Sequence, residues 1–209
     1  MQYVFELLGL MAIFSFAIVS PGADLAMVMR QSIVHGRRAA IFTSFGIGVS
    51  LMFHVTYTIL GLGLIISQSI LLFNIVKWCG VAYLLYIGIQ SLRAGRTTLA
   101  VAAGDAVREQ GALKAFGLGF AANALNPKPV FFFLSIFSTV VSMGTPVMVK
   151  FGYGLVMASC LIAWFVGVSF FLTTPRMRAG FERAGQWIER TSGLVFIALG
   201  LKLASQRAG

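Results

Sequence analysis

Residues 1–29, MQYVFELLGLMAIFSFAIVSPGADLAMVM, decide the fold. From Val4 to Met29 only Glu6 and Asp24 carry charge. A helix needs roughly 20 apolar residues to cross a bilayer, and this run supplies them. It has no basic leader segment and carries Glu6, so it reads as a retained first span and not a cleaved signal. Ser20-Pro21-Gly22-Ala23-Asp24 interrupts it. A proline inside a helix removes a backbone hydrogen bond and clashes with the preceding turn. In hydrocarbon the freed carbonyls must find other partners, so such a break survives where it lines protein or a wet cavity.

The rest of the 209 residues repeats the pattern. Apolar residues make up 58% of the chain and charged residues 11%, against about 25% charged in a soluble domain. After the run at 4–28, further apolar runs lie near 39–66, 70–92, 113–141, 147–172 and 187–205. Arg190 and Lys202 sit in the last of these and can snorkel to the interfaces. The expected fold is all-α: one polytopic transmembrane domain over 1–209, with six transmembrane helices. Cys79 and Cys160 lie in apolar runs without C-x-x-C spacing and read as small packing residues.

Net charge is +10. The basic residues gather in the connections between runs, which fits membrane topology and anionic lipid headgroups and argues against nucleic acid as partner. Loops after runs 1, 3 and 5 hold Arg30, Arg37, Arg38, Arg93, Arg96, Arg108, Lys114, Arg176, Arg178, Arg183 and Arg190, against Lys77, Lys150, Lys202 and Arg207 on the other side. The richer side should be cytoplasmic, with both termini outside.

The two halves carry matched punctuation. Pro21 precedes Gly46-Ile47-Gly48 by 25 residues, and Pro127 precedes Gly152-Tyr153-Gly154 by the same 25. Three spans in each half would put the halves in opposite orientations, the inverted-repeat plan of many secondary transporters. The expected division is a first repeat at 1–95, a basic cytoplasmic connection at 96–111 and a second repeat at 112–209. Glycines elsewhere are explained by close helix packing in lipid.

Asn126-Pro127-Lys128-Pro129 breaks the fourth run as Pro21 breaks the first. Asp24 and Lys128 are therefore central charges beside helix breaks, and intramembrane charges pair or serve function. One reading is a structural ion pair. The other is a substrate site built from Pro21, Gly22, Asp24, Asn123, Asn126, Pro127 and Lys128. There Asp24 would take an ammonium, Lys128 and half-helix N–H groups a carboxylate, and Asn126 would orient either. Protonation of Asp24 would couple transport to a proton gradient. His54, deep in the second run, is either a buried hydrogen-bonded residue or a second proton-coupling group. Most of the 19 phenylalanines read as lipid-facing or core residues. No metal site or cofactor is expected.

At these residues the chain resembles the LysE/RhtB-type amino-acid exporters. SPGAD at 20–24 resembles the family's Pro-Gly-Pro-Asn/Asp element, with Ala23 in place of the usual second proline. HGRRAAIFTSFGIGVS at 35–50, WCGVAYLLYIGIQSLR at 78–93 and FGLGFAANALNPKPVFFF at 116–133 are similar to its second, third and Asn-Pro-Lys segments. The resemblance implies a bacterial inner-membrane exporter of amino acids, driven by the proton gradient and often a homodimer. It leaves the substrate open. A metal-cation exporter would need more intramembrane carboxylates, thiols or imidazoles than Asp24 and His54 supply. An enzyme would need a nucleophile–base or paired-cysteine arrangement that is missing. A non-transporting assembly subunit fits poorly with two charged helix breaks.

Overall fold

The computed structural model describes residues 1–94, 109–142, 144–171 and 175–205. Every element among them is a helix: α1 (Gln2–Val19), α2 (Ala23–Gln68), α3 (Ile70–Arg93), α4 (Ala112–Ala124), α5 (Pro127–Val140), α6 (Val147–Phe171) and α7 (Pro175–Ser205). Four of them, α1, α2, α3 and α6, are long and apolar enough to cross a membrane. α5 is a shorter apolar helix. With α4 it fills the fourth apolar run, cut at its middle. The sixth run begins earlier than expected, at Pro175, because Arg183, Glu189 and Arg190 continue one helix. Arg96, Arg108, Arg207 and most of the 96–111 connection lie outside the described residues.

Each boundary has a local cause. A residue before proline is pushed out of the α region. Ser20, before Pro21, takes φ −59°, ψ 125°, and Asn126, before Pro127, takes φ −79°, ψ 121°. Both helices therefore stop at the prolines. The expected loop after the first run is a single residue. Gly36 has φ 85°, ψ 166°, and divides α2 into arms at 23–35 and 37–68. This left-handed φ is open to glycine without steric cost.

Specific contacts fix the directions of the helices. Thr43 Oγ1 donates to Ala115 O at 3.1 Å, and His54 Nε2 bonds Asn123 O at 3.1 Å, so the long arm of α2 and α4 run parallel. Gly48 faces Ala158 and Ile162 while Gly154 faces Met52 and Val55, so the same arm and α6 run antiparallel. Gly80 faces Leu203, and Gly88 faces Ile197 and Gly193, so α3 and α7 are antiparallel too. Glycine does the work at these crossings. A Cβ at Gly46 would strike the Phe116 backbone, and one at Gly119 the Thr43 backbone. Gly152, by contrast, has no atom near its Cβ position. Of the two cysteines expected as small packing residues, Cys79 is exposed and Cys160 half-buried.

The start of α1 is tied down by a carboxylate. Glu6 is buried and accepts from Gln2 Nε2 (3.0 Å), Ser142 N (3.2 Å), Thr145 Oγ1 (2.9 Å) and Tyr153 OH (3.0 Å). A buried carboxylate is tolerated when its lone pairs are filled in this way. The network clamps α1 to the α5–α6 connection and to the first turns of α6.

Candidate functional site

The two breaks meet. A cavity of about 70 Å³ lies between them, large enough to hold water. Gly22, Asp24, Asn123, Asn126 and Lys128 line it. Pro21 and Pro127 do not line it. They set the breaks that bring their neighbours there. Ser20 and Ala23 are additional wall residues, and Phe14, Phe132, Phe133 and Phe165 form much of the apolar side. The phenylalanines were not legible as wall residues, because nothing in the sequence separates them from those that face lipid.

Helix ends shape the polar side. The carbonyl end of α1 and the N–H end of α2 flank Pro21, and Ala17, Ile18, Ala23 and Leu25 all reach the wall. The last carbonyls of a helix and its first N–H groups have no intrahelical partner, so they carry partial charges of opposite sign. At the second break Asn126 caps α5, its Oδ1 accepting from Lys128 N at 3.0 Å, with proline at the first helical position. That bond fixes where the Lys128 side chain leaves the helix.

Asp24 and Lys128 face the cavity without bonding each other. Asn123 Nδ2 donates to Asp24 Oδ2 at 2.8 Å, and Lys128 Nζ donates to Ser20 Oγ at 3.4 Å. The Lys128 ammonium also lies 5.1 Å from the centre of the Phe196 ring, a distance at which a cation is attracted to an aromatic face. Asp24 Oδ1 and Asn123 Oδ1 are buried with no hydrogen-bond partner. Unpaired buried acceptors are uncommon and costly. Both belong to residues that line the cavity together with Lys128.

His54 stands one layer behind. It is fully buried and absent from the wall. Its Nε2 meets a carbonyl, Asn123 O, so that nitrogen carries a proton, and Nδ1 at 2.7 Å from Tyr57 OH accepts in the neutral ring. The histidine thus holds the Asn123 backbone from outside the cavity. Among the described residues no three His, Cys, Asp or Glu side chains gather to hold a metal.

The LysE type translocator family matches residues 15–207 of the chain. The chain belongs to that family. As a LysE type translocator it is a membrane transport protein and not an enzyme. The chain is 30% identical over 192 residues to the threonine efflux protein of Escherichia coli K12, covering 91% of this chain and 93% of the relative. It is 28% identical over 192 residues to the homoserine/homoserine lactone efflux protein of Salmonella typhimurium LT2, covering 90% of this chain and 91% of the relative. An uncharacterized membrane protein, YrhP of Bacillus subtilis 168, is 25% identical over 211 residues, covering 94% and 97%. No solved structure matches the chain.

Proposed function

We propose that this LysE type translocator is a secondary active exporter of small zwitterionic amino acids, driven by proton antiport. The observation that carries this reading is that Asp24 and Asn123, each with an unpartnered buried acceptor, line one cavity with Lys128. An α-ammonium offers three donors and an α-carboxylate several acceptor sites, and the wall is complementary to both. The carbonyl end of α1 adds to the first and the N–H end of α2 to the second. The apolar wall of Phe14, Leu51, Phe132 and Leu161 receives the side chain. The threonine and homoserine efflux proteins among the relatives point to the same class of solute.

A proton and a substrate ammonium compete for Asp24, and that competition is the basis of exchange. When Asp24 is protonated it cannot hold the ammonium, so the carrier returns with a proton where it left with an amino acid. Asn123, fixed by His54 at its backbone and bonded to Asp24 at its side chain, keeps the carboxylate aimed inward. In this reading His54 positions the site and does not itself relay the proton.

Six spans in two inverted repeats support alternating access about this cavity. Pro21 and Pro127, Gly48 and Gly154, and Met52 and Ala158 are all 106 residues apart. That shift exchanges the Gly48–Ala158 contact with the Gly154–Met52 contact, as a two-fold axis between the halves requires. The helix directions agree: corresponding helices run antiparallel, and the long arm of α2 runs parallel to α4, as spans 2 and 4 of an alternating series must. Both termini then lie on the outer face of the inner membrane.

Everted membrane vesicles test the function. With the lumen acidified, vesicles carrying the protein should accumulate radiolabelled threonine or homoserine, and collapse of the proton gradient should release it. Gradient-independent signals equal to those of empty vesicles, across a panel of the common amino acids, would overturn the reading.

A further inference from the structure

Glu189 is a carboxylate that the scheme above leaves without a task. It stands on α7, which packs on the first break. Residues 189, 192 and 196 share one helical face, being three and seven positions apart. Ser192 Oγ donates to Phe16 O at 2.9 Å, in the last turn of α1. Phe196 meets Phe132 edge to face, with ring centres 6.1 Å apart, and lies under the Lys128 ammonium. The face that carries Glu189 is thus the one that receives Lys128. Glu189 is half-buried, and its charge, like that of Asp24, acts on the Lys128 ammonium.

Resting on the exporter reading, we infer that Glu189 is the standby counter-ion of Lys128, carrying its charge through the proton-loaded half of the transport cycle. Asp24 and Glu189 both act on the Lys128 charge. With substrate bound, Asp24 holds the substrate ammonium and Lys128 the substrate carboxylate. After release, Asp24 takes a proton and becomes neutral. Lys128 would then be a lone cation inside the membrane, an expensive state. The Glu189 carboxylate balances it, and Asp24-H, Lys128 and Glu189 together are neutral. Glu189 touches neither substrate nor proton in this scheme. It is a positioning residue that acts through Lys128.

The two halves of the cycle can be measured separately. Full-length wild type, Glu189→Gln and Glu189→Asp are reconstituted in proteoliposomes. One assay follows exchange of labelled for unlabelled threonine without a gradient, which uses only the substrate-loaded step. The other follows net threonine transport driven by a pH gradient, which also requires the proton-loaded return. Glu189→Gln should exchange within about twofold of wild type and lose more than tenfold in net transport. Glu189→Asp should recover a substantial part of that loss. Should Glu189→Gln fail to reach the membrane, Glu189→Ser serves as the neutral variant. Equal loss of both rates, loss of neither, or no recovery in Glu189→Asp overturns the inference. If the wild type exchanges no amino acid at all, the exporter reading itself has failed, which is a different result.

Discussion

Asn123 Nδ2 donates to Asp24 Oδ2 at 2.8 Å, tying the break in α1–α2 to the break in α4–α5. The bond uses one oxygen of Asp24 and leaves the other, like Asn123 Oδ1, buried without a partner. The carboxylate is therefore already oriented before any ligand arrives.

Asp24→Asn keeps the shape and removes the charge. It should abolish proton-driven efflux while membrane abundance stays close to wild type, read by immunoblot and vesicle transport together. Lys128→Met should likewise insert and fail to transport. A hydrogen bond to a charged group contributes about 1.5–3 kcal/mol, so a lost anchor of this kind lowers binding by roughly ten- to a hundredfold. Restored efflux in the Asp24→Asn, Lys128→Met double variant would instead mark the two as a structural pair.

Glycine-to-alanine changes should sort by contact and not by motif. Gly46→Ala and Gly119→Ala drive a methyl into the opposing backbone, and overpacking of this kind costs about 1–3 kcal/mol. Gly117→Ala and Gly152→Ala meet nothing within 4 Å and gain about 0.5–1 kcal/mol of helix propensity. Melting temperatures in detergent should fall for the first pair and hold or rise for the second. Similar values for Gly46→Ala and Gly152→Ala would contradict the parallel α2–α4 contact.

Orientation is testable at the last residue. A reporter active only outside the cytoplasm, fused after residue 209, should be active, and one fused in the 96–111 connection should be silent. The reverse result would remove either the six-span count or the assignment of the basic side as cytoplasmic.

The site was legible where the sequence broke its own rule. Proline and charge are rare in apolar runs, so Pro21, Asp24, Pro127 and Lys128 stood out, and the structure gathers Asp24 and Lys128 with Asn123 and Asn126 around one cavity. Gly36 was harder to place. Beside Arg37 and Arg38 it looked like part of a loop, whereas one left-handed residue suffices to turn the chain. Glu6 marked a retained span and nothing more, because Ser142, Thr145 and Tyr153 lie 136 to 147 residues away in the sequence and no local pattern announces them. Glu189 was hidden for a similar reason. Next to Arg190 it reads as part of a solvated helix end, and only the folded chain shows that it shares a helix face with Ser192 and Phe196, the residue under Lys128.

The glycine crossings have a mechanical consequence. Gly46 and Gly119 join α2 to α4 backbone against backbone, and Gly88 and Gly193 bring the α3 and α7 backbones together beside the Ile197 side chain. Such seams have no compliant layer to slide on, so each couples a helix from one end of the chain to a helix from the other. The tight seams of this carrier therefore straddle the midpoint of the sequence, and outside them lie the short arms beside the interruptions: residues 23–35, between Pro21 and Gly36, and α5, which starts at Pro127.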